Sequence, residues 1–167
     1  MKMKTLAIGL AAALAGMAGA RPTHAAADEV VIGDLDDLSG NYADVAGAGA
    51  VEAVKMAIAD FGGTVLGRKI VMLVADHQNK PDIGASKFRE WADQNGLNVL
   101  LGGSNTGVNI AMAKVAAAKK VPLFVIGAGG ASLTNEDCTA YTIHYVYDTT
   151  ALANGTATLS ASFESRY

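Results

Sequence analysis

From Val30 to Ile126 the chain alternates between short, continuous apolar runs and longer segments whose apolar residues recur at helical spacing. The runs are Val30–Gly33, Lys69–Ala75, Val99–Leu101 and Pro122–Ile126; between them lie 47–61, 81–94 and 107–119. An apolar run that does not alternate is buried on both faces, which is the mark of a strand in a parallel sheet covered by helices. Right-handed crossovers between such strands dictate a doubly wound α/β layout. Thr142–Val146 reads as a fifth strand and Thr149–Leu159 as a last helix.

The punctuation agrees with that division. Gly62-Gly63 closes the first helix and Gly67 turns the chain into the next strand. Pro81 is at a first helical position, Asn95-Gly96 ends that helix, and Lys119-Lys120 finishes the third. In a doubly wound sheet ligands sit beyond the carboxyl ends of the strands. Three loops therefore form the candidate site: 34–46, 102–106 and 127–137.

Residues 1–27 read as a secretory signal peptide. Met1–Lys4 is a basic start, Leu6–Ala20 an apolar stretch short for a membrane span, and Ala25–Ala27 supplies the small residues of a cleavage site. The expected mature chain starts near Asp28 in the periplasm, with no stable membrane insertion. Residues 28–158 are one α/β lobe, and 159–167 a divergent tail. Net charge is −3, with 13 Lys and Arg against 16 Asp and Glu, so there is no basic excess to bind nucleic acid. Cys138 is the sole cysteine, which excludes an internal disulfide and cysteine-based zinc spacings.

The loops, DLDDLSGNYADVA, GGSNT and GAGGASLTNED, offer hydroxyls, amides and backbone N–H groups. Neither a nucleophile elbow nor a Ser, His and Asp set is present, so no catalytic residue is assigned. His77 and His144 read as surface or structurally hydrogen-bonded. Gly62–Lys69 echoes a phosphate loop but precedes a strand, and Gly127–Gly130 lacks the third glycine and following helix of a dinucleotide fingerprint. Asp34, Asp36 and Asp37 lack a calcium-loop spacing and read as an acidic loop edge. Cofactor and metal are both expected to be none.

Three segments carry a family resemblance: VVIGDLDDLSGNYADVAGAGAVEAVKMAIADF with its continuation to Phe88, LLGGSNTGVNIAMAKVAAAKKVPLFVIGAGGASLT, and CTAYTIHYVYDTTALANGTA. Together they resemble the N-terminal lobe of periplasmic binding proteins of the branched-chain amino acid type. The third is similar to a subgroup that takes up aromatic or other organic acids. The resemblance implies capture of a small solute, a carboxylate or an amino acid, for the permease subunits of an ABC transporter. It places ligand contacts at Ser39 and Tyr42 in the L-S-G-x-Y loop, at Asn105 and Thr106 before the third helix, and at Gly127 and Gly129. Backbone N–H groups at that helix start, with Thr106 as the cap, form a carboxylate site. Gly129 lacks the hydroxyl with which amino-acid binders hold an ammonium group. The resemblance also implies an absent second lobe, a truncated chain and a lost partner for Cys138. An exported ligand-sensing receptor and a nucleotide-dependent enzyme of the same fold are the alternatives.

Overall fold

The computed structural model describes residues 28–164; the expected signal peptide lies outside them, as does the end of the expected tail. Strand β1 (Glu29–Asp36) leads into α1 (Gly47–Asp60), then β2 (Thr64–Val65) and β3 (Arg68–Asp76). Helix α2 (Pro81–Gln94), β4 (Leu97–Gly102), α3 (Thr106–Lys119) and β5 (Leu123–Val125) follow. A 3-10 turn (Ala131–Thr134), β6 (Thr142–His144) and α4 (Thr149–Glu164) complete the order.

The six strands form one sheet in the order β2-β3-β1-β4-β5-β6, parallel throughout except for β2 against β3. The chain steps from β1 outward to β3, then returns across β1 to β4 and on to the opposite edge. Strand order therefore reverses between β1 and β4, which is a topological switch point. This is the doubly wound sheet expected from the apolar runs. Strand β2 was not expected: its two residues pair through the turn at Leu66 and Gly67, both at positive φ. So short a hairpin leaves no periodic signal.

The core lies between the sheet and the α2–α3 layer. Phe88, Leu100, Met112 and Leu123 are fully buried there, with Trp91 almost so. Each contributes about 1.5–3 kcal/mol by leaving water. Helix α1 packs on the other face and buries only Gly47 and Val51. Helix α4 extends five residues past the expected end at Leu159 and buries no residue.

Two expectations need correction. Asn105, not Thr106, is the N-cap of α3, because its Oδ1 accepts the Val108 N–H at 2.8 Å. Thr106 is already inside the helix. Nor are Asp34, Asp36 and Asp37 a loop edge: all three are fully buried, the first two within β1. Backbone N–H donors around the ends of β1 and β4 make that burial tolerable for Asp36 and Asp37.

Candidate functional site

Buried and half-buried carboxylates set the shape of the loops at the carboxyl edge of the sheet. Asp37 folds the first loop onto itself, its Oδ1 accepting the Gly40 N–H at 2.7 Å and its Oδ2 the Tyr42 N–H at 3.0 Å. Asp76, at the end of β3, accepts the Leu38 N–H at 3.0 Å and the Ser39 hydroxyl at 2.5 Å. Burial works against ionisation of Asp76, but Ser39, the Gln78 and Leu38 N–H groups and His77 outweigh it and hold its pKa below 3.8.

Asp36 ties the first loop to the second. Its Oδ1 accepts the Asp37 N–H at 2.8 Å, the nearby Ser104 N–H favours its charged form, and its Oδ2 has no hydrogen-bond partner. Its oxygens occupy the space that a side chain at Gly103 would need: a Cβ there would lie 1.8 Å from Oδ1. Burial raises its pKa, against the pull of the two N–H groups and of His77. Asp34, two residues earlier, has no hydrogen-bond partner on either oxygen, and burial followed by repulsion from Asp36 lifts it to about 6. His77 is fully buried, its Nδ1 accepting the Asn79 N–H at 3.0 Å. Burial lowers its pKa although Asp36, Asp37 and Asp76 favour the cation.

The third loop is held from two sides. The Thr106 Oγ1 accepts the Gly130 N–H at 3.2 Å, and His144 Nε2 is 2.6 Å from the Ala128 carbonyl. Thr149 N–H donates to the Gly129 carbonyl at 2.8 Å. Gly127 lies against the backbone of Gly103 and Ser104, where a Cβ would come within 3.2 Å. The second and third loops therefore touch main chain to main chain.

These ties leave an open cleft of about 370 Å³ at the switch point. Residues 43–46 of the first loop and Gly49 and Ala50 of α1 form one wall. Ser104, Ile126 and Gly127 form the base, and Val146 and Tyr147 the far wall. Among the described residues Asp44 is the single charged side chain on the lining, and it is exposed. The Ser104 hydroxyl is buried and has no hydrogen-bond partner. A hydroxyl in that state carries a desolvation cost that a ligand acceptor or donor would remove.

Of the residues expected at the site, Gly127 lines the cleft. Ser39 is engaged with Asp76, and Tyr42 contributes its pinned amide while its ring lies outside the lining. Asn105 caps α3 and donates through its side chain to Asn79; Thr106 holds Gly130. Gly129 sits behind Tyr147. Ser104, Val146 and Tyr147 were not singled out from sequence. Ser104 is the first hydroxyl after Gly102-Gly103 at the end of β4, and that position is the only signal the sequence gives for it.

The rival sites lack their geometry. Gly62–Lys69 is the β2–β3 hairpin, and Gly127–Gly130 leads into a 3-10 turn. Among the described residues no group of three His, Cys, Asp or Glu side chains is arranged to hold a metal ion. No described helix is long and apolar enough to cross a membrane.

A family profile described as "Periplasmic binding protein" matches residues 29–165. Among solved structures the chain is similar to a periplasmic binding protein from Burkholderia mallei, with 54% identity and a TM-score of 0.80 over 83% of this chain and 37% of that one. It is similar to a branched-chain amino acid ABC transporter periplasmic ligand-binding protein from Burkholderia xenovorans LB400, with 32% identity and a TM-score of 0.77 over 81% of this chain and 36% of that one. A third is an ABC transporter solute-binding protein from Rhodopseudomonas palustris BisB5 in complex with 3,4-dihydroxybenzoic acid: 27% identity, TM-score 0.66, 72% of this chain and 32% of that one. The chain thus spans little more than a third of the length of the first two. Comparison with curated proteins gave no match.

Proposed function

We propose, from the premise that this chain belongs to the periplasmic binding protein family, that it captures a small carboxylate for an ABC permease without transforming it. The observation that carries the reading is a cleft built by three loops at the switch point, with Ser104, whose hydroxyl is buried and unpartnered, among the residues of its base. A ligand carboxylate can accept that hydroxyl once the Ser104 side chain turns it toward the cleft, and the small side chains of Ala43, Ala46 and Ala50 leave room for the body of the solute. No acid, base or nucleophile pair enters this account. The cleft binds, and the chemistry is left to no one.

Solute class and setting follow from the same reading. The Rhodopseudomonas palustris relative holds a dihydroxybenzoate, and a carboxylate on a flat body fits a hydroxyl at the base and apolar walls. Residues 1–27 act as the export signal, which places the mature chain in the periplasm. In longer relatives a second lobe closes over the solute by hinge motion and excludes water. The present lobe contributes one half of that grip and presents the closed surface to the permease.

The test is calorimetric titration of the chain and of Ser104→Ala with 3,4-dihydroxybenzoate and with isoleucine. A hydrogen bond to a charged group is worth about 1.5–3 kcal/mol, so the variant is expected to bind roughly 10- to 150-fold more weakly. Equal affinity of chain and variant for every acid that binds would remove Ser104 and, with it, the reading.

A further inference from the structure

We propose that Tyr147 is the platform on which a flat aromatic carboxylate stacks, and that Gly129 is the specificity-determining position that lets the ring lie there. The inference rests on the capture reading and adds the shape of the solute to it.

The ring is placed by contact with glycine. A Cβ built at Gly129 would sit 3.1 Å from Cε2 and 3.4 Å from Cδ2 of Tyr147, so one edge of the ring rests where any other residue would have its side chain. Such contacts are tighter than packing tolerates without displacement, and alanine at 129 would push the ring outward. The backbone beneath it cannot easily yield. The Gly129 carbonyl is bound by the Thr149 N–H at 2.8 Å and the Ala128 carbonyl by His144 at 2.6 Å, both from the segment that carries Tyr147.

The ring is nonetheless 60% exposed while lining the cleft. An aromatic ring held in place with its remaining surface open is poised for a partner ring, since offset stacking adds about 0.5–1.5 kcal/mol beyond the area buried. The rest of the lining matches such a solute. Ile126 and Val146 are apolar, the facing wall is largely alanine, and Ser104, whose hydroxyl is unpaired, lies at the base. Position 129 presents no side-chain acceptor for an ammonium group.

Benzoate and cyclohexanecarboxylate separate the alternatives, because they share a carboxylate and a six-carbon ring but only one is flat. Titrated into the chain, benzoate is expected to bind roughly 2- to 12-fold more tightly. Tyr147→Ala should abolish that preference, Tyr147→Phe should keep it, and Gly129→Ala should reduce it about threefold or more. Bound benzoate should also show upfield ring-current shifts that vanish in Tyr147→Ala. Tyr147 is exposed, so its replacement leaves the core intact, and circular dichroism checks this. Equal affinity for both acids, or an unchanged preference in Tyr147→Ala, overturns the platform while leaving capture at Ser104 standing. No binding of either acid overturns both.

Discussion

Replacing Asp34 with asparagine should convert a pH-dependent liability into a constant. Asp34 is fully buried in β1 with neither oxygen hydrogen-bonded. Burial first, and repulsion from Asp36 second, raise its pKa from 3.8 to about 6. Between about pH 4 and 6 the folded chain holds a proton that the unfolded chain has released, so stability falls as pH rises through that window. Above pH 6 the charged form is enforced in the folded chain, and the whole penalty is present. The displacement of roughly two pH units corresponds to about 3 kcal/mol.

The amide of Asp34→Asn carries its own burial cost, but that cost does not titrate. The stability of the variant minus that of the parent should therefore grow by about 3 kcal/mol from pH 4 to pH 8, whatever its starting value. His77 and Asp76 contribute slopes of the opposite sign. With its pKa lowered, His77 stays neutral in the folded chain while the unfolded chain takes up a proton below about 6.5, so stability is lost as pH falls. Asp76, also lowered, loses its contribution as pH falls below 3.8. Both groups are present in parent and variant and cancel to first order in the difference. Urea denaturation followed by far-ultraviolet circular dichroism at a series of pH values measures it. A difference that stays flat from pH 4 to 8 would show that Asp34 is solvated or paired, and would refute the account of β1.

Two further substitutions test the loop supports. Gly103→Ala puts a methyl group 1.8 Å from the Asp36 Oδ1 and should cost about 2–4 kcal/mol in urea denaturation, from overpacking together with lost hydrogen bonds to a buried carboxylate. Asp36→Ala removes the obstacle, so the double variant should be more stable than the sum of the single effects by about 1–3 kcal/mol; strict additivity would contradict the contact. Asn105→Ala should cost about 1–2 kcal/mol through loss of the Val108 cap and the tie to Asn79, whereas Asn105→Asp, which keeps the cap acceptor, should recover most of it in the same denaturation series.

Much of the architecture was legible because the strands and helices obey different periods. The run Lys69–Ala75 is apolar with little alternation, and β3 pairs with β1 on one side and β2 on the other while most of its residues are half-buried; Pro81 opens α2, and Asn95-Gly96 follow its last residue. The site was less legible. Its residues lie where β4 passes into α3, and a shift of one residue in the helix start moves the cap from Thr106 to Asn105. The acids of β1 were misjudged for another reason. Hydrophilicity places a carboxylate outside by default, and nothing local in DLDD reveals that Ser104, 67 residues beyond Asp37 in the chain, brings an N–H to Asp36. Tyr147 became visible only through Gly129, a contact between residues 18 positions apart that no periodicity encodes.

The placement of charge then accounts for the kind of recognition the cleft can perform. No Lys, Arg or His lines it, and the buried acids lie behind the loops rather than on its surface. Asp36, Asp37 and Asp76 engage the backbone N–H groups of residues 37, 38, 40 and 42 in holding those loops. The cleft lining thus offers an anion no cation, and it lies above carboxylates whose burial already disfavours their charge. Affinity therefore has to come from preorganisation and from the apolar body of the solute, because a donor held fixed costs little to order on binding. Under the platform proposed above, the Tyr147 ring against Gly129 supplies that second contribution. The buried acids meanwhile hold the loops and leave the cleft itself sparsely polar.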